Sequence, residues 1–160
     1  MENSFKNFAL RAATNVDIDN IKDVVFTILK EYDLPYGDSS KDGDLNDIEK
    51  NYFEPGGFFG VVTDTSTDKI VATIGLYVYA ERVVELRKMY VSKLCRGVGL
   101  GAWMLKIARS IAIEKGFKKI YLETITPLKV AISMYRKFGF KEVPIKEVSK
   151  RVDKAFELDL

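Results

Sequence analysis

The chain has 160 residues, 47% of them hydrophobic and 30% charged, which suits one folded domain over residues 1–160. A net charge of +2 and the absence of histidine exclude a strongly basic nucleic-acid or membrane surface, Ser-His-Asp and Cys-His catalysis, and histidine metal sites. The one cysteine, Cys95, excludes an intrachain disulfide. With no signal-peptide core and no membrane-length apolar run, we expect a cytoplasmic protein with no metal, nucleic-acid or membrane partner.

The first third of the chain predicts a strand followed by two helices. Residues 5–11 are typical of a short strand. Thr14 and Asp17 have the spacing of a capping box, and apolar residues then recur at helical intervals over residues 21–32. After a polar loop, apolar residues predict a second short helix around residues 45–52.

The rest of the chain predicts an antiparallel meander, a parallel strand–helix–strand unit and a final pair of strands. The predicted strands cover residues 58–63, 69–79, 82–91, 118–124, 140–143 and 155–160, and the predicted helices cover residues 99–115 and 127–138. Pro127 is expected in the first turn of the second of these helices. The pattern indicates one mixed α+β domain.

A glycine-rich turn, RGVGLGA at residues 96–102, joins a strand to a helix and predicts an anion site. Glycine lets a ligand approach the backbone closely, and the first N–H groups of a helix lack internal partners and attract negative charge. The letters fit two patterns. One is the dinucleotide fingerprint G-x-G-x-x-G/A, with Glu123 as a ribose ligand, but a meander precedes the turn and too few residues follow Glu123 for a doubly wound sheet. The other is R-x-x-G-x-G/A, filled by Arg96, Gly99 and Gly101.

Four blocks in this order carry a family resemblance: VVELRKMYVS, RGVGLG, KIYLET and AISMYRKFGF. With them, the chain resembles the GNAT superfamily of acyl-CoA-dependent N-acetyltransferases along nearly its whole length. The resemblance implies a mixed, mostly antiparallel, twisted sheet flanked by helices on both sides. It also implies that the strands at residues 82–91 and 118–124 splay apart to admit the thioester of acetyl-CoA, the expected co-substrate.

The resemblance assigns coenzyme A to the turn, to the end of the preceding strand and to the last long helix. Residues 96–102 would bind the pyrophosphate, the backbone of residues 89–91 would pair with the pantetheine amides, and Lys137 could meet the 3′-phosphate. Many relatives carry an asparagine where this chain has Leu128, which removes one expected polar contact. The candidate cofactor residues are Met89, Tyr90, Val91, Arg96, Gly97, Val98, Gly99, Leu100, Gly101, Ala102, Thr124, Ala131, Tyr135 and Lys137.

Two side chains are candidates for the chemistry. Strict alternation places Glu85, Arg87, Met89 and Val91 on one face of their strand. Relatives use a glutamate at the position of Glu85 to deprotonate the amine, whereas the alternative is a structural ion pair with Arg87. Relatives use the tyrosine at the position of Tyr135 to protonate the departing thiolate, whereas the alternative is an aromatic packing role.

The acceptor site has the weakest sequence signal. The resemblance places it near the first helices, and the candidate substrate-binding residues are Tyr32, Tyr36 and Arg87. Acidic residues there would suit a cationic amine, whereas Arg82 and Arg87 would suit a carboxylate. Cys95 has no evident base partner and is expected to be a bystander.

The predicted function is transfer of an acetyl group from acetyl-CoA to a primary amine of a small molecule, amino acid or peptide by direct attack. Two alternatives are a non-catalytic acyl-CoA-binding regulatory module and a nicotinamide-dependent oxidoreductase. The expected oligomeric state is a monomer or a homodimer.

Overall fold

Strands and helices are described over residues 3–160 in this computed structural model. The strands are β1 (Ser4–Phe5), β2 (Phe8–Ala12), β3 (Phe58–Asp64), β4 (Lys69–Ala80), β5 (Val83–Val91), β6 (Lys119–Thr124), β7 (Lys141–Val143) and β8 (Lys154–Asp159). The helices are α1 (Ile18–Glu31), α2 (Ser39–Asp42), α3 (Leu100–Glu114) and α4 (Lys129–Phe138). Residues 1 and 2, which the single-domain prediction includes, lie outside the described residues.

The eight strands form one sheet in the order β1-β2-β3-β4-β5-β6-β8-β7. All neighbouring pairs are antiparallel except β5 and β6, which are parallel because α3 crosses over between them. The α+β prediction and its mixed, mostly antiparallel sheet are confirmed. The last two strands pair as predicted, with β8 inserted between β6 and β7.

Three predicted elements differ from the structure. Residues 5–11 form a hairpin and not one strand, because the chain turns at Lys6, whose φ is 52°. The predicted helix around residues 45–52 is divided into a 3-10 turn (Gly43–Asn46) and a π-helical turn (Glu49–Phe53). Helix α4 begins at Lys129, so Pro127 lies before its first turn.

Each face of the sheet carries its own helices and its own hydrophobic core. Helices α3 and α4 cover one face, where Met104, Leu105 and Ile132 pack against Val84 and Leu122. Helix α1 and the π-helical turn cover the other face. There the buried residues are Ile21, Val25, Leu29, Tyr52, Phe59 and Val61. The predicted arrangement of helices on both sides is therefore confirmed.

A bulge in β5 overturns the strict alternation expected for that strand. Gly75 of β4 faces Arg87, but Thr73 faces Tyr90, so β5 has one extra residue between these pairs. The extra residue is Lys88, whose φ is 52°. Beyond it, Met89 and Val91 pack into the core under α3, whereas Arg87 stacks on Tyr77 on the α1 side. Met89 and Val91 therefore do not share a face with Glu85 and Arg87.

Strands β5 and β6 pair along only part of their lengths. The paired residues are Val83 with Lys119, Val84 with Ile120 and Glu85 with Tyr121. After Glu85 the strands separate, so the edge of β5 from Leu86 to Val91 has no β6 partner. The predicted splay is present, and it opens a gap in the middle of the sheet. Over residues 3–160, no helix has both the length and the apolar character needed to cross a membrane.

Candidate active site

The gap between β5 and β6 is the entrance to a cavity of about 550 Å³. Its walls come from the separated parts of both strands, the N-terminus of α3, one face of α4 and the C-terminal end of α1. Residues 40–41 and 151–152 close it on the α1 side. One continuous space therefore connects the glycine turn with Glu85 and Tyr135.

The glycine turn presents its backbone to this cavity. Gly97 and Gly99 have φ values of 78° and 90°, and Gly99 is the N-cap of α3. A residue with a side chain rarely adopts such values, which explains the glycines. Within residues 3–160, no acceptor is present for the N–H groups of residues 97–102. These groups and the helix dipole make the turn a fitting site for a phosphate group.

Arg96 connects three parts of the site. Its Nε donates to the carbonyl oxygen of Val91 at 2.8 Å, and its Nη1 donates to Glu31 Oε2 at 2.5 Å. The ring of Tyr32 lies beside the same guanidinium. Arg96 thus ties the end of β5 to the end of α1, and an anion at the turn would compete with Glu31 for it.

Tyr135 of α4 has its aromatic ring in the core and its hydroxyl in the cavity. The ring packs edge-on against Phe140 with centroids 5.6 Å apart. The hydroxyl has no hydrogen-bond partner within residues 3–160. Burial, with a smaller contribution from Tyr90, raises the pKa of the Tyr135 hydroxyl well above its ordinary value. The group is therefore a protonated donor at neutral pH, with a hydrogen available to a ligand.

Glu85 lies at the last paired position before the strands separate. Its side chain is buried, and its Oε2 accepts a hydrogen bond from Arg87 Nη2 at 2.9 Å. Arg87 in turn stacks on Tyr77, with its guanidinium carbon 3.7 Å from the ring centre. The carboxylate of Glu85 thus pairs with Arg87 and also lines the cavity. The ion pair does not remove it from the space that a ligand would occupy.

Glu123 is a second carboxylate on the cavity wall, and the sequence interpretation did not assign it to this site. It accepts a hydrogen bond from the Tyr121 hydroxyl at 3.1 Å. Among residues 3–160 it has no ion-pair partner within 4 Å. Burial, followed by the charge of Glu123, raises the pKa of the Tyr121 hydroxyl well above its ordinary value, so Tyr121 remains a donor. Its position at the end of β6, opposite the part of β5 that separates from β6, is the sequence feature that could have identified Glu123 as a site residue.

A buried ion network that no sequence pattern indicates adjoins the cavity and is formed by Asp42, Asp44, Lys88 and Arg151. Lys88 Nζ lies 3.4 Å from Asp42 Oδ1 and 3.2 Å from Asp44 Oδ1. Arg151 Nη1 lies 2.9 Å from both oxygens of Asp42. The network fastens α2 to the bulge of β5 and to the loop before β8.

Most of the predicted cofactor residues line the cavity. They are Met89, Tyr90, Val91, Arg96, Gly97, Gly99, Leu100, Gly101, Ala102, Thr124, Ala131 and Tyr135, together with the substrate candidates Tyr32 and Arg87. Leu128 and Cys95 line it too. Burial raises the pKa of the Cys95 thiol, which disfavours a nucleophilic role.

Three predicted residues lie elsewhere. Val98 directs its carbonyl to Lys6 Nζ at 2.9 Å and does not line the cavity. Tyr36 stacks on Phe26, with centroids 5.4 Å apart. Lys137 lines a separate depression on the outer side of α4. Within residues 3–160, His, Cys, Asp and Glu side chains form no cluster of three or more that could hold a metal ion.

Known proteins resemble this chain in sequence and in fold. The model of the acetyltransferase (GNAT) family matches residues 25–140. A protein of Escherichia coli K12 called uncharacterized N-acetyltransferase YjgM is 32% identical over 139 residues, which are 84% of this chain and 82% of that protein.

Two solved structures share the fold. An acetyltransferase of the GNAT family from Staphylococcus aureus Mu50 superposes with a TM-score of 0.87 at 23% identity, over 95% of this chain and 98% of that one. Spermidine N-acetyltransferase from Vibrio cholerae, in complex with CoA and spermine, superposes with a TM-score of 0.73 at 18% identity, over 97% and 96% of the two chains.

Proposed function

Because the chain belongs to the acetyltransferase (GNAT) family, we propose that it transfers the acetyl group of acetyl-CoA to a primary amine by direct attack. The observation that carries the proposal is the continuity of the cavity. It runs from the glycine turn, along an open strand edge, to two carboxylates and Tyr135. The free thiol of Cys95 supports the cytoplasm as the compartment.

The cofactor groups fit the residues present. The N–H groups of residues 97–102 have no acceptor within residues 3–160 and suit the pyrophosphate of acetyl-CoA. The edge of β5 at residues 89–91 has no β6 partner and suits the amides of the pantetheine arm, as an added strand would. Thr124 and Ala131 line the same passage. Lys137 and the side chain of Val98 lie outside it and have no role in this proposal.

Acetyl-CoA, when bound, supplies the activated acyl group, and the acceptor must supply a neutral amine. A lysine-like amine has a reference pKa of about 10.4, so a nearby base is needed at neutral pH. We assign this role to Glu85, which Arg87 holds in place at the point where the strands separate. Glu123, on the facing strand, would hold the amine beside it.

The departing thiolate must be protonated or at least receive a hydrogen bond. A thiol has a reference pKa of about 8.5, so a neutral hydroxyl at the right place gives enough help. Tyr135 lines the cavity, and burial raises the pKa of its hydroxyl, so the group stays neutral and can donate a hydrogen bond to the thiolate. Val130 and Ala131 on the same helix line the passage next to it.

Thiol release tests the proposed function. The purified chain is incubated with acetyl-CoA and a panel of amines, and free CoA is measured with a thiol reagent. We expect amine-dependent release from the wild type and a strong loss in Tyr135→Phe. Tight acetyl-CoA binding by calorimetry without thiol release for any amine would instead support a regulatory binding module. Thermal stabilisation by NAD and not by acetyl-CoA would support the oxidoreductase alternative.

A further inference from the structure

The acceptor half of the cavity is lined by more cations than carboxylates. Lys41, Arg87, Lys88 and Arg151 line it together with Glu85 and Glu123. This half lies on the α1 side of β5, away from the face on which α3 packs. The positive charge is therefore not part of the phosphate-binding turn, and it needs a different explanation.

Lys88 is surrounded by acceptors of the protein itself. Its Nζ donates to the carbonyl oxygen of Lys41 at 2.9 Å and forms ion pairs with Asp42 Oδ1 at 3.4 Å and Asp44 Oδ1 at 3.2 Å. Its side chain is 5% exposed. Because buried carboxylates neutralise Lys88, the two arginines of this half are the candidates for binding a ligand.

Arg151 and Arg87 each keep unused donors. A guanidinium has five N–H groups in a fixed plane. Arg151 uses Nη1 for Asp42, and Arg87 uses Nη2 for Glu85. The other N–H groups of these two side chains have no carboxylate or carbonyl acceptor within residues 3–160, and both side chains line the cavity. The Tyr90 hydroxyl is a further hydrogen-bond partner of Arg151, so only part of that guanidinium is available to a ligand.

Most charged side chains in this half form ion pairs with one another, but some charged groups of each sign remain without a partner. Asp42 and Asp44 balance Lys88 and Arg151, and Glu85 balances Arg87. Glu123 and Lys41 are left without an ion-pair partner among residues 3–160. The two guanidinium groups are balanced in charge but retain N–H donors of the kind that binds a carboxylate. A ligand that binds both Glu123 and the guanidinium groups must carry an amine and a carboxylate in the same molecule.

We propose that the acceptor is a small amino acid-like molecule, whose carboxylate binds Arg151 and Arg87 and whose amine faces Glu123 and Glu85. This inference rests on the proposed acetyltransferase function and specifies its substrate class. Arg151 is then a specificity-determining residue, positioned by its ion pair with Asp42.

Matched ligands test the proposal on the wild-type chain. Each of several amino acids is compared with its own carboxamide and with its decarboxylated amine, under saturating acetyl-CoA. We expect at least one amino acid to be acetylated with a kcat/KM at least about tenfold above both analogues, because charged hydrogen bonds are lost in the analogues. Equal or faster acetylation of the analogues would overturn the proposal while leaving the acetyltransferase function intact.

Binding separates this proposal from the proposed function if no compound is acetylated. Calorimetry with the chain saturated by CoA measures affinity without turnover. Binding of an amino acid, but not of its carboxamide, would support the carboxylate site even though acetyl transfer had failed. Absence of any such preference would overturn the inference. A dipeptide in the same series distinguishes a free amino acid from a peptide acceptor.

Variants of Arg151 test whether this residue binds the carboxylate of the acceptor. Arg151→Lys keeps a positive charge beside Asp42 but removes the planar donors, and we expect the KM of the preferred amino acid to rise about tenfold or more with the carboxamide unaffected. A merely structural Arg151 would lower the rates of both substrates equally. Arg109→Lys is the matched control, because Arg109 is exposed on α3 and does not line the cavity.

Discussion

Glu31 at the end of α1 and Arg96 at the start of the glycine turn form an ion pair of 2.5 Å beside the cavity that Arg96 lines. The pair joins two elements that are adjacent only because β5 ends next to the last turn of α1. It occupies the guanidinium that a phosphate at the turn would otherwise attract. We therefore expect cofactor binding and this ion pair to compete for one cation.

The first prediction concerns this competition. Arg96→Ala should weaken CoA binding by about tenfold, because a hydrogen bond to a charged group is lost. Glu31→Gln should tighten it, because the guanidinium is released to the ligand. Calorimetric titration with CoA measures both. Asp33→Asn removes an equal charge beyond the end of α1 and serves as the control. Unchanged affinity in both Arg96→Ala and Glu31→Gln would remove Arg96 from the phosphate site.

The glycine turn and the order of the elements could be predicted because their signals are local. Gly97 and Gly99 have backbone conformations that glycine favours, and the apolar spacing of α3 follows directly. The splay followed from the family resemblance. The fold class and the separation of β5 from β6 could thus be predicted from the sequence.

The ion network and the bulge could not be predicted, because no local pattern encodes them. Arg151 and Asp42 are 109 residues apart in the chain, and Lys88 is 47 residues from Lys41. The bulge places a lysine at a φ of 52°, with no glycine or asparagine to mark it. Such charges are normally exposed, and only tertiary packing shows that these are buried.

The second prediction concerns Tyr135. Tyr135→Phe should lower kcat by about a hundredfold with little change in CoA affinity, because only the transferred proton or hydrogen bond is removed. The raised pKa keeps the wild-type hydroxyl protonated up to at least about pH 10, the ordinary value for tyrosine. The ratio of wild-type to variant kcat should therefore stay constant from neutral pH to that limit. A ratio that falls in this range would show that the hydroxyl ionises early.

The third prediction separates the two carboxylates. Glu85→Gln should lower kcat by about a hundredfold with little change in the KM of the acceptor, because the variant has no carboxylate to accept the amine proton. Glu123→Gln should mainly raise the KM of the acceptor. Both variants preserve side-chain size, so each is the control for the other. If Glu123→Gln alone lowered kcat, the base would be Glu123, and Glu85 would be the structural partner of Arg87.

The fourth prediction tests whether the buried network stabilises the acceptor side. The Asp42 side chain is 2% exposed and contacts both Lys88 and Arg151. Asp42→Asn leaves two buried cations with one carboxylate, Asp44, and should lower the free energy of unfolding by about 3 kcal/mol or more. Urea denaturation followed by circular dichroism measures the loss. Asp38→Asn is the control, because Asp38 is exposed and an asparagine can still accept from Ser40 N–H as the N-cap of α2. Equal stability of the two variants would contradict the prediction. It would show that the ion network does not hold α2 in place.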